Sequence, residues 1–283
     1  MELKKAARQQ VKLRLNISAP SGAGKTMSAL LMAKGLVNDW SKIAVIDTEN
    51  GSASLYSHLG DFNVIDLQAP FTPEKYIQAL NACVNAGMQA VIIDSSSHEW
   101  NCLLEENELL AQTSFRGNTW SAWSKTTPRH DKFVNAVLHL PAHVITCTRS
   151  KMETVMGEGK KVHKVGMKDV QREGWEYELT VSLNLDRDTH LATPSKDRTN
   201  LFEGKMPFLI TEETGKLIKD WCEQGVVVPT IEEQIKAVKD LLDEATSLDE
   251  LIVIWSALTK EQRLLPTIVD HKEKLKTDLT PKQ

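Results

Sequence analysis

Residues 16–36, NISAPSGAGKTMSALLMAKGL, decide how the chain is read. An apolar run, Leu13 to Ser18, feeds Ala19-Pro20-Ser21-Gly22-Ala23-Gly24-Lys25-Thr26, and a helical-period segment runs from Lys25 to Val37. This is GxxxxGK[ST] with Ala at the first glycine position, in the strand-then-helix context that the motif requires. Gly22 and Gly24 let successive backbone N–H groups turn toward phosphate oxygens at the positive end of a helix. Lys25 reaches the β- and γ-phosphates and the Thr26 hydroxyl ligates Mg²⁺, so Pro20 to Met27 are the expected contacts for ATP. Ala19 suits the loop's first position if its φ is negative.

Such a loop needs an acid at the end of a neighbouring strand to hold magnesium, and AVIIDSSS supplies Asp94 as that Walker B residue. Ser95 follows it, so the glutamate that AAA-plus ATPases keep beside this aspartate is missing. Glu49 in KIAVIDTENG lies just past the strand after the loop's helix, where a carboxylate can polarise water. Glu99 in SSSHEW is the rival base, and His98 beside it reads as a structural residue.

Apolar runs alternate with helical-period segments, the pattern of a mostly parallel sheet covered on both faces. Strands are expected at Leu13–Ser18, Ile43–Asp47, Val64–Leu67, Ala90–Asp94 and His143–Thr148, with helices at Lys25–Val37, Pro73–Ala86, Glu99–Leu110 and Asp131–Leu140. EYELTVSLNLD and HLATPSK read as two neighbouring strands around an Arg187-Asp188 turn, an antiparallel edge to the sheet. After Pro229 the texture is helical: Thr230, Ser247 and Thr259 each stand three residues before an acid or amide, as in a capping box. Ile235, Val238, Leu242 and Leu251, Ile254, Trp255, Leu258 form apolar stripes, and Pro266 kinks or delays the third helix. The expected domains are 1–228, the α/β core, and 229–283, a small helical appendage.

Of 283 residues, 41% are hydrophobic and 25% charged, and no apolar run approaches the ~20 residues of a membrane span. The N-terminal MELKKAARQQVKLRL has no secretory apolar core, so a cytoplasmic location is expected. Four scattered cysteines without a CxxC imply free thiols rather than a zinc site. With 34 basic against 38 acidic residues, any nucleic-acid surface must be local.

A phosphate loop followed by hhhDTE and hhhDS resembles the RecA/DnaB class of ATPases, in which a glutamate after the second strand activates water. The chain's PSKDRT, residues 194–199, resembles the K-x-R element by which such subunits reach a neighbour's nucleotide, which would make Lys196 and Arg198 trans-acting fingers. The run KVGMKDVQREGWEYELTVSLNLDRDTHLATPSKDRT, with VITCTRSKMET before it, is similar to RecA-like ATPases of bacteriophages, relatives of Sak-type recombination proteins. That resemblance covers residues 11 to 224; ATSLDELIVIWSAL is a short, weaker match to the C-terminal segments of phage recombination proteins. It implies a RecA-like core in a bacterial host cell. The implied activity is ATP-dependent action on single-stranded DNA during recombination or replication, as a ring or filament and alongside other phage proteins.

In that reading the segments after the fourth and fifth strands hold single-stranded DNA. The first, TSFRGNTWSAWSKTTPRH, interleaves Arg116, Lys125 and Arg129 with Phe115, Trp120 and Trp123, a mixture of cations and stacking rings that suits unpaired bases. The second, RSKMETVMGEGKKVHKVGMKDVQR, carries Lys160, Lys161, Lys164, Lys168 and Arg172 and is locally cationic. Arg149 at its start, or Thr148, is placed to sense the γ-phosphate. The alternatives are a hexameric helicase-type motor, a small-molecule kinase with 149–172 as its lid, and a nucleotide-switched loader.

Overall fold

The computed structural model describes residues 5, 7–156, 162–226 and 231–280, with side chains at all of these but 154–156, 162–166 and 231. The chain divides into two compact units, Val11–Gln224 and Met1–Gln10 with Gly225–Gln283. The expected boundary at 228/229 lies outside the described residues.

The larger unit runs β1 (Arg14–Ala19), α1 (Lys25–Val37), β2 (Ile43–Asp47), β3 (Asn63–Asp66), α2 (Pro73–Asn85), β4 (Ala90–Asp94), α3 (Ser97–Ser114) and α4 (Thr119–His139). It continues with β5 (His143–Met156), β6 (Val162–Asp169), α5 (Trp175–Glu178), β7 (Val181–Leu185), β8 (Ala192–Asp197) and α6 (Glu212–Cys222). The sheet order is β3-β2-β4-β5-β1-β7-β8, with β6 paired to β5 off this path. All pairs from β3 to β7 are parallel and β8 closes the edge antiparallel to β7. The α/β class and the antiparallel edge are thus as the sequence implies.

Strands β1, β2 and β4 are buried at every residue, because helices cover both faces. Successive side chains go to opposite layers: Val45 and Ile92 join Ile17, Leu30, Leu36 and Ile218, whereas Ile46 and Ile93 join Tyr76, Leu80, Phe133 and Val137. Each such residue contributes about 1.5–3 kcal/mol by leaving water.

The two segments expected to hold DNA are regular structure over their described residues. Trp120 and Trp123 stand on α4, which starts where the Asn118 side chain accepts from Ser121 N at 3.0 Å and continues through Pro128. The lost backbone hydrogen bond at Pro128 is offset by packing: Thr126 and His130 are buried and bond to Asn107 and Glu99 of α3. The basic segment after Arg149 is an antiparallel ribbon, in which β5 continues past the sheet and pairs with β6, with a bulge between Glu153 and Thr154.

The smaller unit contains α7 (Ile231–Asp243), α8 (Leu248–Ala257), α9 (Lys260–Leu264) and α10 (Pro266–Leu279). Its core is Val238, Leu242, Ala245, Leu251, Leu258 and Ile268, with Ile235, Ile254 and Trp255 packed against it. Thr259 and Gln262 form the full capping box. Ser247 caps Glu250 N at 3.3 Å, but the Glu250 carboxylate turns to Thr246 N at 2.8 Å instead of completing a box. Thr230 lies outside the described residues. Pro266 ends one helix and opens the next at N1, where its missing N–H costs nothing. Among the described residues no helix is long and apolar enough to cross a membrane.

Candidate nucleotide-binding site

The site lies beyond the carboxyl ends of the parallel strands, where α/β sheets bind ligands. Register sets Asp47 of β2 beside Asp94 of β4, and Ala19 of β1 beside Arg149 of β5. A cleft of about 430 Å³ opens there, lined on one side by Ser21, Gly22, Gly24, Lys25 and Thr26. Glu49, Asp94 and Arg149 line it together with Ser52, Tyr56 and His190. Pro20, Ala23 and Met27 belong to the same loop and first helical turn without lining the cleft.

Gly22 at φ +82° and Gly24 at φ +87° adopt the left-handed conformation that turns the loop into α1. Lys25, only 9% exposed, donates through Nζ to the carbonyls of Ala19 and Pro20, each at 3.1 Å. Thr26 Oγ1 donates to Asp94 Oδ2 at 2.5 Å. A hydroxyl and a carboxylate converging on one point form an oxygen donor set suited to a hard divalent cation. Burial pushes the Asp94 carboxyl up to about 6, against the Thr26 hydrogen bond and the Lys25 charge, with Glu49 and Asp47 adding to the rise.

Glu49 is held at the mouth by its neighbours. Asp47 at the end of β2 accepts from Glu49 N at 2.6 Å and from Ala53 N at 2.8 Å, which shapes the turn that presents Glu49. Thr48 accepts from Ser95 N at 2.8 Å, and its hydroxyl meets His98 Nδ1 at 2.7 Å, so the β2 and β4 ends are tied together. The Glu49 carboxylate receives Arg149 Nε at 2.9 Å and a second, shorter hydrogen bond from the same guanidinium. Partial burial works to raise the Glu49 carboxyl, but Arg149, with His98 and Lys25, brings the balance below the usual range.

Glu99 is fully buried on α3, accepts from His130 Nδ1 at 3.0 Å and does not line the cleft; burial raises its carboxyl. His98 stacks on Phe71 with ring centroids 5.0 Å apart. Lys196 and Arg198 both donate to the carbonyl of Tyr177, Arg198 at 2.8 Å, and Lys196 also reaches the Glu176 carbonyl at 2.7 Å. Within the chain they cap the end of α5 and lie outside the cleft.

The DNA candidates divide. Trp123 stacks on Trp100 of α3, with centroids 5.4 Å apart and planes at 14°, and both line a groove of about 560 Å³ with Trp120, Thr127, Arg172 and Glu173. Trp120 is 86% exposed. Lys168 lies in an adjoining groove with Trp100, Lys151, Met152 and Gln171. Its ammonium pairs with Glu153 at 3.2 Å, and Arg172 pairs with Asp131 at 3.0 Å. Arg116 sits in the exposed turn before α4 and lines neither groove. Lys160, Lys161 and the side chain of Lys164 lie outside the described residues.

Three cleft residues, Ser52, Tyr56 and His190, had no sequence signal of their own. Asp169 was also missed. It ends β6, accepts from Ser18 Oγ of the phosphate-loop strand and bonds Thr148 Oγ1 at 3.4 Å, so the ribbon's base is tied to β1.

A phosphate-binding loop between β1 and α1, an aspartate ending β4 and a sheet parallel through β7 define a P-loop ATPase fold. Residues 11–207, more than two thirds of the chain, match the AAA domain family, and the chain belongs to that family. It is a nucleotide-binding protein with the fold of an ATPase. No curated protein matches the chain.

Proposed function

We propose that the chain is a magnesium-dependent, RecA-like ATPase that acts as an oligomer on single-stranded DNA, in phage recombination or replication. The observation that carries this reading is the Glu49–Arg149 pair. The candidate base shares the cleft with the phosphate loop and is gripped by the residue from which the cation-bearing β5–β6 ribbon departs. A strand occupying the ribbon and the tryptophan groove would thereby bear on the residue that restrains Glu49.

Gly22, Gly24 and Lys25 would bind the phosphates, with Lys25 leaving its two loop carbonyls, and Thr26 and Asp94 would hold magnesium. MgATP held there would supply the transferable phosphoryl group, and its cation would offset the negative charge of the phosphates. Glu49 accepts the proton of the attacking water once Arg149 lets go, and Arg149 turns its charge toward the γ-phosphate. In the resting cleft the Arg149 pairing favours the ionised Glu49 carboxyl, the form that can accept a proton. Lys196 on the edge strand β8 and Arg198 just past it both reach the Tyr177 carbonyl, and these two cations would leave it for a neighbour's nucleotide. Stacking on Trp120 and Trp123, with Arg172 and Lys168 beside the backbone, suits unpaired bases. The phage assignment rests on the resemblance of residues 11 to 224.

ATP turnover is to be measured with and without single-stranded DNA across a protein concentration series, for wild type and Lys196→Ala/Arg198→Ala. Turnover that rises with DNA and concentration, and collapses in the variant while nucleotide still binds, supports the reading. Turnover indifferent to all three overturns it and favours a small-molecule kinase.

A further inference from the structure

The turn between β7 and β8 touches the phosphate loop through one side chain. His190 lines the nucleotide cleft, and its Nδ1 lies 3.1 Å from the carbonyl oxygen of Ala23. A carbonyl only accepts, so Nδ1 carries the hydrogen and donates; the tautomer is assigned from the partner. The next residue, Gly24, is the left-handed N-cap of α1, and none of the hydrogen bonds among the described residues takes up its N–H.

The Ala23–Gly24 peptide is trans, and a planar trans peptide points its C=O and N–H in opposite directions. Holding the Ala23 oxygen toward the β7–β8 turn therefore aims the Gly24 N–H away from that turn. Without the tether the flexibility of glycine leaves this peptide plane free to rotate, and a donor that must be reoriented on binding costs affinity.

We propose that His190 is a positioning residue of the phosphate loop, fixing the Ala23–Gly24 peptide for the phosphate oxygens of a nucleoside di- or triphosphate. The inference rests on the nucleotide-binding reading and needs neither DNA nor an oligomer. The turn itself is braced to deliver the ring. Asp186 Oδ1 accepts from Asp188 N at 3.1 Å, Thr189 N at 2.8 Å and Thr189 Oγ1 at 2.8 Å. His190 N donates to the Asp186 carbonyl at 3.0 Å, and His190 takes φ +59°. A Cβ on Gly24 would lie 3.6 Å from Nδ1, so the ring already rests against the loop in ordinary contact.

The left-handed backbone selects the test. Asn and Gly both tolerate that conformation, and the Asn amide nitrogen takes the place of Nδ1 whereas Gly leaves no donor. Affinity for N-methylanthraniloyl-ATP and -ADP is to be titrated by fluorescence for wild type, His190→Asn and His190→Gly, alongside steady-state KM and kcat and thermal melting. The expected result is about a fivefold loss of affinity for both nucleotides in His190→Gly, the scale of one ordinary hydrogen bond. KM should rise in proportion with kcat nearly unchanged, and His190→Asn should stay within about twofold of wild type. Binding by His190→Gly equal to wild type overturns the inference, as does an equal loss in both variants. A wild-type protein that binds no analogue overturns the nucleotide reading and this inference with it.

Discussion

The nucleotide cleft and the tryptophan groove occupy one unit but are built by opposite means. In the cleft, backbone donors and short polar side chains are fixed from behind: Asp47 holds the Glu49 turn, Thr48 holds Ser95, and Thr26 holds Asp94. In the groove, Trp120 stands 86% exposed on the first turn of α4 and Arg172 is engaged by Asp131, while Lys168 in the adjoining groove is engaged by Glu153. In the cleft the loop backbone and the turns that present Glu49 and Asp94 are set in advance, and only the long cations Lys25 and Arg149 exchange partners in the proposed reaction. In the grooves both of these cations are engaged by a carboxylate, so the proposed strand binding requires each to exchange its partner. Substitutions in the cleft should therefore act steeply on the chemical step, and those in the groove should be graded.

The steepest test is Lys25→Ala, which should lower ATP turnover by roughly 10³-fold or more through loss of the charge on the β- and γ-phosphates; a loss of only a few-fold would deny the cleft its role. Next comes Glu49→Gln. It should cut single-turnover hydrolysis by about 10²–10³-fold while leaving nucleotide affinity within about threefold, the split expected of a general base. The same loss from Glu99→Gln in a protein that melts like wild type would reverse the choice of base.

A pH series sharpens the role of Asp94. Burial pushes its carboxyl up to about 6, and in the proposed role only the ionised form holds magnesium, so the magnesium-dependent gain in ATP affinity should fall about tenfold per pH unit below that value. In Asp94→Asn the gain should be small and flat with pH. For folding the sign is opposite: an acid raised from 3.8 to about 6 stabilises the ligand-free protein below pH 4, and that contribution, on the order of 3 kcal/mol, disappears as pH rises through 6. Asp94→Asn should remove that slope from urea midpoints.

In the groove, Trp120→Ala and Trp123→Ala should each weaken binding of a fluorescent oligothymidine by about tenfold, and the double variant, whose two sites are helix neighbours in one groove, by more than either alone but not by the product. Trp123→Ala should also lower the melting temperature, since it strips the stack from Trp100, whereas Trp120→Ala should not. The smallest effect belongs to the helical unit. Ser247→Ala should destabilise α8 by about 1 kcal/mol, read by hydrogen exchange, with ATP turnover unchanged.

How much was legible followed how local each determinant is. The bounds of α1, β2 and β4 could be read in the chain because each is a contiguous apolar run or a motif with its own punctuation. Of helix α4 only the second half was read, as Asp131–Leu140; the first half was not, because a proline inside a helix removes a hydrogen bond and only the buried contacts of Thr126 and His130 carry the helix through Pro128. The β5–β6 ribbon escaped notice because its glycines, lysines and glutamates show no apolar alternation. Lys196 and Arg198 were expected as trans-acting fingers, and nothing in PSKDRT announces that within the chain a carbonyl of α5 lies within their reach.

The sequence by itself determined the phosphate loop, the acid that ends β4 and the class of sheet around them, because strand, turn and helix are set by neighbours along the chain. Only the tertiary structure decided that Glu49 rather than Glu99 faces the cleft. It also brought Arg149, 100 residues away, to grip Glu49, and carried His190 to the loop across 167 residues. Those meetings depend on strand order and on which side of the sheet each connection crosses, and no local propensity encodes either.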